Sequence, residues 1–211
     1  MSTVSITDVT LVVSTMSDII IENEVPFCEL DSAAGDGDFG MSVAKGFKIV
    51  KAEFDTLATD SIGSFLKDVS MIITEHCGGA SGPIWGSAFR SASKFAGSQE
   101  SLDVAGVAGL FTSAVEGIQK RGGAKLGDKT LLDALIPAAE SLKESAAKNL
   151  SLKEAFALAA ASAVEGAEKT KTYTASKGRA SYVGERSLSY PDAGAVAIGV
   201  IFSSVLERLT K

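Results

Sequence analysis

The chain is poor in the residues that most often carry chemistry by themselves. It has one histidine, His76, and two cysteines, Cys28 and Cys77, in 211 residues. Two cysteines make neither a disulfide framework nor a zinc site, so reduced thiols in a cytoplasmic protein are expected. A lone histidine is more often structural than catalytic, and no Ser-His-Asp or Cys-His pattern can be assembled around it. Basic residues form no block, and the net charge of -6 with a pI near 4.9 argues against a nucleic-acid partner. The first residues lack a basic segment ahead of an apolar run, so no secretory leader is expected. The most apolar stretch, Ala193 to Leu206, is too short to span a bilayer and is broken by Gly199, Ser203 and Ser204, which excludes a membrane role. One domain over residues 1–211 is the expectation from length.

Strand-like alternation is also missing, whereas apolar residues recur at intervals of three and four. This predicts an all-α protein. A first stripe (Val9, Val12, Val13, Met16, Ile19, Ile20) covers about residues 4–24 and is broken by Pro26. Further helices are expected near 41–57, from an Asp60 cap to Cys77, from Ser81 and Pro83 to Gly97, and from a Ser101 cap to about 120. The sixth, near 128–147, contains Pro137 and should kink there or tolerate a break. Ser151-Leu152-Lys153-Glu154 is a capping box opening the seventh, and Asp192 opens the eighth, which reaches Arg208. Eight helices with one apolar stripe each suggest an antiparallel barrel or bundle. With sequential neighbours antiparallel, the loops containing Asp31–Gly40, Gly78–Gly82, Gly122–Asp128 and Gly178–Gly194 gather at one rim, while the other end carries no unusual chemistry.

What the rim loops contain is oxygen and glycine. Asp31, Asp36 and Asp38 lie within eight residues of one another. Carboxylates so close repel one another and favour a cation among them, and oxygen-only ligands point to magnesium or calcium rather than zinc. Asp-Gly pairs also form ordinary turns, so the spacing admits both readings. An EF-hand fails, because the position requiring a bidentate Glu is Phe47. Gly78-Gly79-Ala80-Ser81-Gly82-Pro83 at a helix start is a candidate anion cradle or a tight turn. It is neither a Walker loop nor a Rossmann fingerprint. Arg179 and Arg186, in a loop beginning Lys177-Gly178, could clamp phosphate or could be solvated.

In order and at matching intervals, Asp31-x4-Asp36-Gly37-Asp38-x-Gly40, Gly78 to Pro83, Gly127-Asp128-Lys129-Thr130-x2-Asp133, Gly178-Arg179-Ala180-Ser181-Tyr182 and Asp192-Ala193-Gly194 resemble the nucleotide-binding L subunits of dihydroxyacetone kinases. The resemblance implies an eight-helix antiparallel barrel with the nucleotide at one rim. It implies that Asp31, Asp36 and Asp38 hold two magnesium ions. It places ADP or ATP contacts on Phe39, Gly40, Met41, Ser42, Gly79, Ala80, Ser81, Gly122, Leu131, Arg179, Asp192, Ala193 and Gly194, with Arg179 also a candidate in the transfer itself. The implied partner is a K-type subunit carrying dihydroxyacetone or another short ketose, and a phosphocarrier M-type subunit is a further one. Phe39 stands where subunits served by a phosphocarrier often have His, which leaves the donor open between such a carrier and ATP. The alternative within this resemblance is a nucleotide-binding regulator acting through a transcription factor.

Overall fold

The computed structural model describes residues 3–210, with side chains for residues 3–208. Its α-helices are α1 (Ile6–Glu22), α2 (Glu24–Ser32), α3 (Phe39–Ala52), α4 (Ile62–His76), α5 (Ser81–Ala96), α6 (Val104–Gly122), α7 (Leu132–Ala147), α8 (Leu152–Lys169) and α9 (Ala193–Thr210). All except the short α2 form a ring in which each helix packs on two neighbours, α1 closing it between α3 and α9. Successive ring helices run in opposite directions. The antiparallel barrel expected from the apolar periodicity is the observed architecture. No helix among the described residues is long and apolar enough to cross a membrane.

Local chemistry explains most of the boundaries. Ser5, Ser61 and Ser151 each accept from the amide three residues on, while the side chains of Asp8, Ser64 and Glu154 return the bond, making three complete capping boxes. The sequence predicts Ile62, Phe65, Leu66, Val69, Ile72 and Ile73 on the buried face of α4; all are buried except Ile72, which is partly buried against the core. Gly97 ends α5 with φ of 54°, a conformation costly for any residue with a Cβ.

Five details differ from expectation. The break after α1 falls at Asn23, and Pro26 lies in the first turn of α2, where its missing N–H forfeits no intrahelical bond. Asp31 consequently stands on a helix rather than in the loop. Ser61 rather than Asp60 caps α4, and Asp103 rather than Ser101 caps α6. Ser101 is drawn instead into a two-residue strand, β2 (Ser101–Leu102), antiparallel to β1 (Val4–Ser5), which is too short to show alternation. Finally, α7 begins at Leu132, because Asp128 to Thr130 are held in a loop by side-chain bonds described below. Pro137 remains inside α7. The Asp133 carbonyl, which loses its usual donor to the proline, lies against Gly166 of α8, where an added Cβ would sit 2.2 Å from it.

The core is continuous around the ring. Its interior is incompletely filled: an apolar cavity of about 330 Å³ lies among Trp85, Phe89, Phe111, Phe156, Ile198 and Phe202.

Candidate functional site

Helix direction makes the two ends of the barrel chemically different. The ring helices that start at the far end, α1, α4, α6 and α8, are all capped by a side chain, from Ser5, Ser61, Asp103 and Ser151. Of those that start at the rim, α3, α5 and α7 have no side-chain cap, and only α9 has one, from Asp192 Oδ2 to the Ala195 amide at 2.7 Å. The N-cap residues of α3, α5 and α7 leave the positive end of each helix dipole facing the rim, which suits an anion, although the Met41 amide of α3 donates to Cys28 Sγ and the Leu132 amide of α7 to Thr130 Oγ1, each at 3.2 Å. Two of these helix starts adjoin, since the Gly78 amide leading into α5 donates to the carbonyl of Ser42 in α3, 2.9 Å away.

Beside them lie the three aspartates. One carboxylate oxygen from each of Asp31, Asp36 and Asp38 falls within 4.8 Å of the others. The last turn of α2 presents Asp31, and the chain folds back over it so that the Gly37 amide donates to Asp31 Oδ2 at 2.9 Å. Gly35 must be glycine for this approach, as its Cβ would meet Asp31 Oδ1 at 2.2 Å. Burial raises the pKa of Asp31; the amides of Gly37, Phe39 and Asp38 pull it down, and Asp36 pushes it up. An all-oxygen trio, with Asp31 partly buried and Asp36 and Asp38 exposed beside it, fits a hard divalent cation, which would offset the burial of Asp31 and the repulsion from Asp36.

The remaining expected residues surround this cluster. Gly40 and Ser42 are buried in the first turn of α3, while Met41 is 43% exposed beside them. The ring of Phe39 packs on that of Phe27, centroids 6.1 Å apart, and its amide faces Asp31. Gly79, with φ of 53° and nothing near its Cβ position, and Ala80 form an exposed tip before Ser81 opens α5. Gly122 ends α6 against Ile84 of α5, and Leu131 abuts Gly194. Arg179 arrives from the long loop before α9 and pairs with Asp36, Nε to Oδ2 2.9 Å. Asp192, ahead of Ala193 and Gly194, has its pKa raised to about 7, first by burial and then by Asp133 and Asp31; the Ala195 amide and Lys129 oppose the rise.

Two residues without an assigned role in the sequence organise this rim from behind. Asp133 is 1% exposed, and its two oxygens accept from the amides of Gly127 (2.5 Å) and Thr130 (2.7 Å), which fixes the turn into α7. Lys129 is 2% exposed and sends its ammonium into the long loop before α9. The sequence signal was only their place in the Gly-Asp-Lys-Thr-x2-Asp string.

Residues 33–207 match the family described as DAK2 domain. The chain is 38% identical over 169 residues, 80% of each chain, to the PEP-dependent dihydroxyacetone kinase, ADP-binding subunit DhaL, of Escherichia coli (strain K12). It is 35% identical over 186 residues, 88% of each, to the corresponding subunit of the PEP-dependent dihydroxyacetone kinase 1 of Listeria innocua. It is similar as well to the solved dihydroxyacetone kinase from C. freundii in complex with AMP-PNP and Mg2+, with a TM-score of 0.75 and 25% identity over 94% of this chain and 33% of that one.

Proposed function

The chain belongs to the DAK2 domain family, and from that premise we propose that it is the nucleotide-binding subunit of a kinase for dihydroxyacetone or a related short ketose. The observation that carries the reading is the convergence, at one rim, of three carboxylates with the starts of α3, α5 and α7 and with Arg179. The relatives' names, ADP-binding subunits of dihydroxyacetone kinases, support the nucleotide and the reaction class.

In this reading the chain works as one domain, and Asp31, Asp36 and Asp38 hold two magnesium ions. Magnesium bound there would neutralise charge on phosphate oxygens during phosphoryl transfer. Phe39, Gly40, Met41 and Ser42 at one helix start, and Gly79, Ala80 and Ser81 by the next, contact the nucleotide and its phosphates. Arg179 exchanges Asp36 for phosphate as it comes into position. Gly122, Leu131, Asp192, Ala193 and Gly194 complete the nucleotide contacts. No nucleophile is needed on this chain, because the accepting hydroxyl belongs to a ketose on a K-type subunit that meets the rim. Names of subunit-length relatives support a resident ADP recharged by a phosphocarrier M-type subunit, whereas Phe39 supports free ATP.

The test mixes the purified chain with a K-type subunit, magnesium and dihydroxyacetone or erythrulose, in one arm with ATP and in the other with ADP and a phosphorylated carrier. Ketose phosphate in one arm identifies the donor. Tight nucleotide binding without product in either arm would sink the kinase reading.

A further inference from the structure

Lys129 has a geometry that its sequence context does not suggest. Lysine is seldom buried, yet this one is 2% exposed and its ammonium lies inside the loop that precedes α9. Its Nζ lies within hydrogen-bonding distance of the carbonyl oxygens of Thr170 (2.7 Å), Tyr173 (3.0 Å), Ser187 (2.7 Å) and Tyr190 (2.7 Å), four acceptors for three N–H donors, so that one N–H is shared between two of them. Those four carbonyls bracket one loop, two at its start and two at its end. Arg179 lies between the pairs, and Asp192 follows the last by two residues. Lys129 itself adopts φ of 62°, and its loop is tied back by the Asp133 bonds and by Ser176 Oγ donating to Asp128 Oδ1 at 2.8 Å.

The physical consequence is a staple. Four carbonyl dipoles converging at these distances repel one another and gain stability only around a cation. The hydrogen bonds of the ammonium go to main-chain oxygens, while the carboxylates of Asp133 and Asp192 act on it through their charge, and the positions of those oxygens depend on it. Without the charge, two buried carbonyls, of Thr170 and Ser187, lose their charged donor.

We propose that Lys129 is the positioning residue of the rim: its ammonium is a built-in cation that closes the loop from Thr170 to Tyr190, so that Arg179 and Asp192 stand beside the aspartates. This rests on the nucleotide reading of the rim. Lysine rather than arginine suits the task, because a compact charge meets four convergent oxygens and a planar fork does not.

The experiment compares Lys129→Met and Lys129→Ala with the wild-type full chain. Trypsin reports on loop closure through Lys177, Arg179 and Arg186, calorimetry on magnesium-ADP affinity, and circular dichroism on the barrel. The expected result is retained helicity, cleavage in the loop faster by about tenfold or more, and affinity weaker by about tenfold or more. Ammonium chloride should restore both properties to Lys129→Ala, where the cage is vacated, but not to Lys129→Met, whose side chain fills it; lithium chloride should restore neither. Unchanged cleavage, or faster cleavage with unchanged affinity, overturns the proposal. So does a loss of helicity that ammonium does not reverse, which assigns Lys129 to the core alone. Arg179→Ala, measured in parallel, separates the two readings: wild-type affinity in that variant removes Arg179 from the nucleotide site, while the Lys129 variants still decide whether the staple governs binding.

Discussion

Arg179 Nε lies 2.9 Å from Asp36 Oδ2, joining the last loop of the chain to the first acidic one. The arginine side chain is 72% exposed and the aspartate 42%, so the pair is screened and contributes on the order of 0–1 kcal/mol to the fold. Both partners are therefore free to exchange for stronger ones. A cation for Asp36 and a phosphate for Arg179 separate the pair without a large structural cost.

The first prediction concerns that aspartate. Asp36→Asn should abolish magnesium-dependent ADP binding in calorimetry while leaving the far-ultraviolet helical signal unchanged, because the residue lies in the loop between α2 and α3. Unchanged affinity would refute the metal assignment.

Removing the other partner should act on phosphate alone. Arg179→Ala is expected to weaken ADP by about 1–3 kcal/mol, roughly 5- to 150-fold, without altering magnesium dependence. Arg179→Lys should recover only part of the loss, since a point charge does not reproduce a two-pronged contact. Titrations of the three proteins at equal ionic strength check this.

Gly40 tests the close approach of α2 to α3. A Cβ there would lie 2.0 Å from the carbonyl oxygen of Glu24. Because backbone must move to accept it, Gly40→Ala should destabilise the protein by about 1–3 kcal/mol and displace the acidic loop. Thermal melts with and without magnesium-ADP report both effects.

The raised pKa of Asp192 gives a pH dependence with a definite sign. Burial lifts it from 3.8 to about 7, so the folded state holds a proton that the unfolded chain releases earlier. Stability from this group is complete below the unfolded value and declines as pH rises through about 7. Asp192→Asn keeps an oxygen acceptor for the Ala195 amide and cannot ionise. In the absence of metal it should therefore gain stability over wild type as pH rises from 5 to 8, by an amount on the order of a few kcal/mol at most. Urea melts at the two pH values measure the difference, and an equal effect at both would contradict the shift.

The parts legible in the sequence were those set by local rules. The Ser151 to Glu154 box, the α4 stripe and the alternation of loops between two ends follow from caps, periodicity and short connections, and these carry the architecture. The aspartates could be grouped because they are near in sequence. What was hidden depends on distant partners or on tolerance. A proline in a first turn neither forbids nor announces a helix, so α2 and the helical position of Asp31 went unread. Lysine is among the residues least often buried, and the four carbonyls around Lys129 lie 41 to 61 residues further along the chain. The asymmetry of caps between the two ends could be seen only once each helix had a direction.

The unfilled interior of the barrel has a mechanical meaning. About 330 Å³ of space among Trp85, Phe111, Phe156 and Phe202 vanishes when the helices separate, so unfolding shrinks the system. Hydrostatic pressure should accordingly unfold this ring more readily than a close-packed bundle of equal stability. Leu135→Phe, at a residue on the cavity wall, should lessen that sensitivity if the added ring occupies the void. Compression thus acts on the middle of the molecule, while nucleotide and metal act on its rim.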